Sequence, residues 1–282
     1  MAHTFSPSPW PSELETALSA QSLGRPCFYF SEIDSTNTWL RRPEQAGLPA
    51  GTMVVADYQR QGKGRLGRQW VAPPETSLLF SLLLRPGWPL HQAHWLTMLA
   101  GSAVVAAIQA VVGAGLRVAL KWPNDIVIES TAESWRKCGG ILLETEIEAE
   151  RLQMAVMGIG LNVNVSAENL PAASPLLPAT SLLAETGLIT PRWPLLGAIL
   201  EHLAQGIAEA EQGHSPQPAW NRQLMTLGRV VTVNQVTEQA APLTGIAEAT
   251  DAWGALIVRD AHGQRHTIMA GDVTLRSAET MD

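Results

Sequence analysis

The stretch "GKGRLGRQW", residues 62–70, places three glycines at the spacing G-x-G-x-x-G with cationic residues between them. A Rossmann loop of this spacing opens a helix and is followed by an acidic residue about twenty positions later. Here two consecutive prolines follow the loop and prevent an immediate helix, and no acidic residue occurs between Glu75 and Asp125. A P-loop needs Ser or Thr after its lysine, where this chain has Gly64, and no kinase motif follows. Two interpretations remain, a backbone cradle for an anionic ligand and a solvated basic loop.

The distribution of lysine favours the cradle. The chain has 16 arginines but only three lysines, at positions 63, 121 and 137. Each lysine belongs to an unusual motif: the glycine loop, "KWPND" (121–125) and "RKCGGILLE" (136–144). An ammonium group is a compact point charge, which suits a phosphate or a carboxylate beside bare backbone. The sequence assigns no separate role to Lys121.

Two further motifs allow both a structural and a binding interpretation, and a third indicates binding. In "EIDSTNTWL" (32–40), Ser35 and Thr36 can cap a helix or bind a polar head group. Asn124 and Asp125 can form an ordinary turn or hold a magnesium–phosphate complex through oxygen ligands. In "GIGLNVN" (158–164), glycines inside a strand pattern are typical of a ligand's close approach.

Composition limits the class of protein. The 282 residues are 46% apolar and 16% charged with a net charge of −7, which indicates a globular protein with no general attraction to nucleic acid or anionic lipid. Cys27 and Cys138 provide neither a disulfide framework nor a zinc site, so a cytoplasmic location is expected. The N-terminal segment lacks the features of a signal peptide. The apolar run at 95–112 is only just long enough for a membrane span and is predicted to be a core helix.

The order of the patterns predicts an α+β fold. Strand patterns at 53–58, 77–84 and from 117 to 165 are joined mostly by short turns, which predicts a mixed or antiparallel sheet with helices on one side. Apolar residues at helical spacing predict an amphipathic helix over 195–207. From about 226, short strands separated by Gly and Asp turns predict a small β-barrel. The predicted domains are therefore 1–225 and 226–282.

In their order along the chain, "DSTNTWL", "QRQGKGRLGRQW", "KWPND", "KCGGILLE" and "GIGLNVN" resemble the biotin–protein ligase family, also called biotin–[acetyl-CoA-carboxylase] ligase, in the form that lacks an N-terminal DNA-binding domain. The resemblance covers roughly residues 28–165, and "GDVTLRSAE" near the end resembles the family's closing segment. It implies a catalytic domain like that of class II aminoacyl-tRNA synthetases, followed by an SH3-like β-barrel.

The resemblance also implies the site residues. The biotin site would comprise Ser35, Thr36, Asn37, Gln59, Gly62, Lys63, Arg65, Lys137, Gly139, Gly140, Gly158 and Gly160. The ATP site would comprise Arg65, Arg68, Trp70, Asn124, Asp125, Lys137, Asn162 and Arg276, with "PATSL" (178–182) covering the adenine. Lys137, Arg65 and Asp125 would act in catalysis, and Asp125 is the candidate Mg²⁺ ligand. Lys63 stands where many relatives have Arg.

The implied activity is the activation of biotin by ATP and Mg²⁺ to biotinyl-5′-AMP, followed by biotin transfer to a lysine of the biotin carboxyl carrier protein of acetyl-CoA carboxylase. No tightly bound prosthetic group, nucleic acid or membrane is expected, and the protein would be a monomer or homodimer. The alternatives are a lipoate–protein ligase, whose Arg-Arg…Ser-Gly-Gly-Gly signature is missing here, a non-catalytic biotin sensor, and a plain interaction module built on the C-terminal barrel.

Overall fold

A computed structural model describes residues 6–131, 134–171, 177–235 and 241–275 of the chain. Arg276, assigned above to the ATP site, lies outside these residues.

The larger part of the protein is built on a seven-stranded mixed sheet with the strand order β1-β2-β3-β7-β6-β5-β4. The strands β1 and β2 are parallel, and every other neighbouring pair is antiparallel. The strands are β1 (Cys27–Phe30), β2 (Met53–Ala56), β3 (Ser77–Leu84), β4 (Val118–Lys121), β5 (Asp125–Thr131), β6 (Ser134–Glu148) and β7 (Arg151–Asn162). The α+β prediction is confirmed.

The central strand β3 shows why its sequence is apolar throughout. All eight residues are buried, because both faces of the sheet are covered at this point. Leu78, Phe80 and Leu82 belong to the main core, while Leu83 belongs to a second cluster with Trp39 and Leu40 on the opposite face. A strand buried on both faces has no solvent side on which polar residues would alternate.

The main core lies between the sheet and a layer of helices. The helices are α1 (Ser12–Leu18), α2 (Thr36–Leu40), α3 (Ala93–Val112), α4 (Leu182–Thr186), α5 (Arg192–Glu211) and α6 (Gln217–Gln223). The short helix α2 lies on the opposite face of the sheet, where its Trp39 and Leu40 belong to the second cluster, so the prediction of helices on one side is wrong for α2. Among the described residues one stretch, Leu90–Val112, is long and apolar enough to cross a membrane by length and composition. It contains α3, whose buried residues pack in the core between the sheet and α5.

A second, five-stranded antiparallel sheet with the order β11-β10-β9-β8-β12 forms the C-terminal part. Its strands are β8 (Val230–Gln235), β9 (Leu243–Thr250), β10 (Leu256–Arg259), β11 (Arg265–Ile268) and β12 (Gly271–Leu275). Two tryptophans fasten it to the larger sheet region: Trp122 Nε1 donates to the Gly254 carbonyl at 2.9 Å, and Trp95 Nε1 donates to the Ala252 carbonyl at 3.2 Å. These bonds hold β12 and its neighbours beside the ends of β4 and β5.

Candidate active site

A cavity of about 220 Å³ brings together most of the residues that the motifs singled out. It lies over β3, β6 and β7 and under the glycine loop. The predicted residues that line it are Ser35, Thr36, Asn37, Gln59, Lys63, Arg65, Arg68, Trp70, Asn124, Asp125, Lys137, Gly140, Gly158, Gly160 and Asn162. Five separate segments of the chain thus converge on one site.

The glycine loop is a short hairpin folded over this cavity. The Trp70 amide donates to the Gly62 carbonyl at 2.9 Å, and the Gly64 amide donates to the Arg68 carbonyl at 2.7 Å. At the tip, Leu66 has a φ of 56° and is 54% exposed. Of the two interpretations left open by the sequence, the structure favours the cradle, because the loop lies against a cavity.

Contacts with two other parts of the protein hold the loop. Arg65 donates to the Asn124 side chain at 3.2 Å and to the Gly271 carbonyl at 3.4 Å. Arg68 forms an ion pair with Asp272 of β12. The C-terminal sheet therefore contributes directly to the site, and Asp272 also lines the cavity.

Gly62 and Gly139, both assigned above to the biotin site, are not among the residues that line the cavity. A Cβ at position 62 would lie 2.4 Å from the Trp70 carbonyl oxygen, so this glycine allows the two sides of the hairpin to approach. A Cβ at position 139 would lie 2.9 Å from the Gly160 carbonyl oxygen and 3.1 Å from Ile126 Cδ1. Gly139 therefore meets the neighbouring strand and the core, whereas its neighbour Gly140 lines the cavity.

One end of the cavity is strongly cationic. Lys137 Nζ lies 2.6 Å from Asp125 Oδ1, and Lys121 Nζ lies 3.9 Å from Asp125 Oδ2. Burial lowers the pKa of Lys121, which the nearby Asp125 carboxylate partly opposes, and burial likewise lowers the pKa of Arg65. In all, five cationic side chains line the cavity against two carboxylates. This surplus of positive charge suits an anionic ligand, most of all at Lys121, Lys137 and Arg65, which are less exposed than Lys63 and Arg68.

Lys121 is a site residue to which the sequence assigned no role. Its side chain is almost fully buried and reaches the cavity from the last position of β4. The scarcity of lysine in the chain was the one signal that pointed to it. Asp272 carried no such signal, because it joins the site only through the packing of the C-terminal sheet.

Trp70 occupies the middle of the site. A Cβ at Gly160 would lie 2.7 Å from Trp70 Cε2, so this glycine makes room for the indole, whereas a Cβ at Gly140 would lie at ordinary contact distance, 3.6 Å from Trp70 Cζ3. The indole Nε1 is buried and has no hydrogen-bond partner among the described residues. Lys137 Nζ lies 5.8 Å from the ring centroid. A buried unpaired donor beside a lysine is a natural point of contact for an acceptor atom of a ligand.

The other end of the cavity carries uncharged polar groups. Ser35 is the N-cap of α2 and accepts a hydrogen bond from the Thr38 amide at 3.5 Å, so the capping role is present together with the position in the cavity. The Thr36 amide donates to Gln59 Oε1 at 2.8 Å. The cavity thus offers hydrogen-bonding groups at one end and cations at the other.

The predicted adenine-covering segment borders the same cavity. The Lys137 amide donates to the Pro178 carbonyl and the Thr180 amide donates to the Lys137 carbonyl, both at 2.8 Å. Asn162 Nδ2 donates to the Thr180 carbonyl at 3.0 Å, and Ala179 lines the cavity. The segment is therefore joined to β6 beside Lys137.

The residues do not fit a metal ion held by the protein alone. No group of three His, Cys, Asp or Glu side chains in the described part of the chain is arranged to bind one. The Asp125 carboxylate, the predicted Mg²⁺ ligand, is instead held between Lys121 and Lys137. Magnesium usually keeps several waters and binds through substrate phosphates with one or two carboxylates.

A second cavity of about 250 Å³ adjoins the site through Arg65 and Asn124 and is also lined by His94. Burial lowers the pKa of His94 to about 4, the Arg65 charge lowers it further, and Asp251 opposes the shift. The imidazole Nε2 is buried with no hydrogen-bond partner among the described residues. His94 is therefore uncharged in the folded protein at neutral pH.

We expect this histidine to make the fold sensitive to acid. The unfolded chain takes up a proton at His94 near pH 6.5, whereas the folded protein does so only near pH 4. The contribution of uncharged His94 to the free energy of unfolding is therefore complete above pH 6.5 and is lost as the pH falls toward 4. Between pH 7 and pH 5 the free energy of unfolding should fall by about 1–2 kcal/mol from this group. Urea denaturation at both pH values measures this loss.

The matched variants are His94→Gln and, as a control, His262→Gln at an exposed turn. The fall in the free energy of unfolding between pH 7 and pH 5 should be smaller in His94→Gln and unchanged in the His262→Gln control. An equal loss in both variants would show that His94 does not carry the effect.

Two family models match the chain. The model of the biotin/lipoate A/B protein ligase family matches residues 29–162, and that of the biotin protein ligase C-terminal domain matches residues 226–276.

Curated relatives agree with these matches. The chain is 38% identical to the bifunctional ligase/repressor BirA of Bacillus spizizenii over 57% of this chain and 47% of that protein. It therefore spans about half the length of that relative. It is 32% identical to the biotin–[acetyl-CoA-carboxylase] ligase of Paracoccus denitrificans over 86% of this chain and 98% of that protein.

A solved structure shares the fold. The biotin protein ligase from Aquifex aeolicus in complex with biotin and ATP matches with a TM-score of 0.69 and 25% identity, covering 90% of this chain and 100% of that chain.

Proposed function

Because the chain belongs to the biotin protein ligase family, we propose that it activates biotin with ATP and then transfers the biotinyl group to a lysine of a carrier protein. The observation that carries the proposal is the polarity of the cavity. Uncharged hydrogen-bonding groups (Ser35, Thr36, Gln59) lie at one end, and Lys121, Lys137 and Arg65 lie toward the other. Biotin has the same polarity, since a urea ring and a carboxylate stand at opposite ends of the molecule.

In the first step, a carboxylate oxygen of biotin attacks the α-phosphorus of ATP. The new carbon–oxygen–phosphorus link forms as the bond to the β-phosphate bridging oxygen breaks, which yields biotinyl-5′-AMP and pyrophosphate. Two anions meet at the reacting phosphorus, so fixed cations lower the barrier. Lys137 and Arg65 have the position for this role. ATP would enter as its Mg²⁺ complex, with the ion bound mainly by the phosphates.

In the second step, the amine of the acceptor lysine attacks the carbonyl carbon of the adenylate. An amide forms, AMP leaves and a proton is released from the amine. The protein needs no nucleophile of its own, because the mixed anhydride is already activated. Asp125 contacts Lys121 and Lys137, and we propose that it positions these two ammonium groups.

The name of the Paracoccus relative supports the carrier domain of acetyl-CoA carboxylase as the acceptor. We also propose the cytoplasm as the compartment, because Cys27 and Cys138 are both buried free thiols.

We expect pyrophosphate exchange into ATP to depend on biotin and not on lipoate. Lipoate has a dithiolane where biotin has a urea, so it leaves the polar end of the cavity without partners. Sites built for hydrogen bonds reject such analogues strongly, and we expect at least about a hundredfold preference in kcat/KM. Exchange of labelled pyrophosphate, with each acid and with neither, measures the preference. Equal or faster exchange with lipoate would assign the chain to lipoate activation.

A further inference from the structure

A chain of hydrogen bonds runs from the polar end of the cavity to a carboxylate behind it. Ser81 Oγ lies 2.6 Å from Thr36 Oγ1 and 2.5 Å from Asn37 Oδ1. Asn37 Nδ2 donates to Glu144 Oε2 at 2.9 Å. Glu144 Oε1 in turn accepts from Arg41 at 2.7 Å. Thr36 and Asn37 line the cavity, whereas Ser81, Glu144 and Arg41 do not.

The direction of every donor in this chain of hydrogen bonds follows from the Glu144 carboxylate at its end. A carboxylate only accepts hydrogen bonds, so Asn37 must turn its amide nitrogen toward Glu144 and its carbonyl oxygen toward Ser81. That oxygen also only accepts, so the single hydroxyl proton of Ser81 points at Asn37. The contact between Ser81 and Thr36 then requires the proton of Thr36.

Thr36 has no second proton to offer. Its side chain also lies 3.2 Å from Gln59 Oε1, but the shorter contact to Ser81 takes the proton, and Gln59 Oε1 is satisfied by the Thr36 amide at 2.8 Å. Thr36 lines the cavity, and its Oγ1 therefore has only lone pairs to offer a ligand there. It can accept a hydrogen bond from a ligand but cannot donate one.

Gly158 keeps Asn37 in this arrangement. A Cβ at position 158 would lie 2.2 Å from Asn37 Oδ1, which is far inside contact distance. Gly158, which the sequence associated with a ligand, therefore makes room for the Asn37 side chain.

We infer that Glu144, held by Arg41, is a positioning residue that makes Thr36 select a ring N–H of the ligand rather than a ring oxygen. The inference rests on the proposed function and extends it to the choice between a urea and a carbamate. Glu144 acts only through Asn37, Ser81 and Thr36.

The substitution Glu144→Gln should reverse the chain without removing a contact. Arg41 only donates, so it would hold the glutamine carbonyl oxygen and leave the glutamine NH₂ facing Asn37. Asn37 would then turn its carbonyl toward position 144 and donate to Ser81, which would donate to Thr36. The Thr36 proton would then be released from Ser81 and could turn from Gln59 Oε1, 3.2 Å away, to donate to a ring oxygen of a ligand.

The test compares biotin with its two cyclic carbamate analogues, in each of which an oxygen atom replaces one ring N–H. Pyrophosphate exchange gives kcat and KM for each compound. In wild type, biotin should be preferred over the analogue whose oxygen faces Thr36. In Glu144→Gln that preference should fall at least about tenfold, through KM, with kcat changed less than about threefold.

Two further variants complete the design. Glu146→Gln removes the same charge from an exposed position of β6 and should keep the wild-type preference. Ser81→Ala breaks the chain without reversing it, frees the Thr36 hydroxyl to rotate, and should also weaken the preference. If a thermal melt shows that Glu144→Gln is not folded, Ser81→Ala tests the positioning role independently.

The outcomes are distinguishable. If wild type prefers biotin and the preference survives in both Glu144→Gln and Ser81→Ala, the positioning role is wrong while the proposed function stands. If wild type shows no exchange with biotin, both fall.

Discussion

Replacing Lys137 by alanine should lower the rate of biotin adenylation about a hundred- to a thousandfold while leaving the fold intact. Lys137 Nζ lies 2.6 Å from Asp125 and faces the cavity beside Trp70. Loss of one fixed charge at a reacting oxyanion typically costs about 2.7–4 kcal/mol of transition-state stabilisation. The fold should survive, because Lys121 still faces the Asp125 carboxylate at 3.9 Å.

Pyrophosphate exchange measures this first step, and a thermal melt checks the fold. Arg136→Ala is the matched control, since it removes a cation from the neighbouring, exposed position of the same strand. Lys137→Arg should restore only part of the rate, because a planar guanidinium presents its charge differently from an ammonium. A folded Lys137→Ala protein with a near wild-type exchange rate would show that Lys137 does not stabilise the reacting phosphate.

Replacing Arg192 by methionine should destabilise the protein by about 3–5 kcal/mol, because it leaves a buried carboxylate without its cation. Arg192, the first residue of α5, lies 2.9 Å from Asp57 Oδ1 and donates to the Ser77 carbonyl at 3.1 Å. The Tyr29 hydroxyl donates to the other oxygen of Asp57. Burial, together with Asp57, raises the pKa of that tyrosine. This cluster joins α5 to the ends of β1, β2 and β3.

Urea denaturation measures the loss. Methionine lacks the guanidinium, whose Cζ lies 4.7 Å from the Trp193 ring centroid, so the variant loses this cation–π contact as well as the ion pair. In the double variant Arg192→Met/Asp57→Asn the uncompensated charge is gone, and we expect part of the stability to return. Arg265→Met removes one partner of an exposed ion pair with Glu248 and should cost no more than about 1 kcal/mol. Similar losses of unfolding free energy in Arg192→Met and Arg265→Met would show that burial does not increase the cost of breaking the ion pair between Arg192 and Asp57.

Much of this protein can be read directly from its sequence, because the deciding interactions are local. The apolar run at 77–84 corresponds to β3 residue for residue, and the run at 95–112 lies within α3, which begins two residues earlier. Ser35 caps α2 as its position before an apolar helix predicts. The motifs also named most of the cavity lining, since all five carry polar or cationic side chains and three of them also contain glycines.

Only the tertiary structure decided which of two adjacent glycines in β6 lines the cavity. Gly139 and Gly140 are the same residue type at adjacent positions, yet one packs against Gly160 and Ile126 and the other lines the cavity. Successive residues of a strand face opposite sides, and a register irregularity between Ile126 and Val127 sets which side each glycine takes. No local pattern contains that register.

Long-range packing decided the remaining features in the same way. Asp272 reaches the site because two tryptophan hydrogen bonds dock the C-terminal sheet beside it, and His94 is uncharged because that docking buries it. Glu144 directs the hydroxyl proton of Thr36 from a strand more than a hundred positions away. The sequence by itself determined the segments and the chemistry they carry, since periodicity, caps and bare backbone act over a few residues. Only the tertiary structure decided the direction of a hydrogen bond, the burial of a charge and the face of the sheet on which a strand residue lies. Each of these depends on partners that only folding brings near.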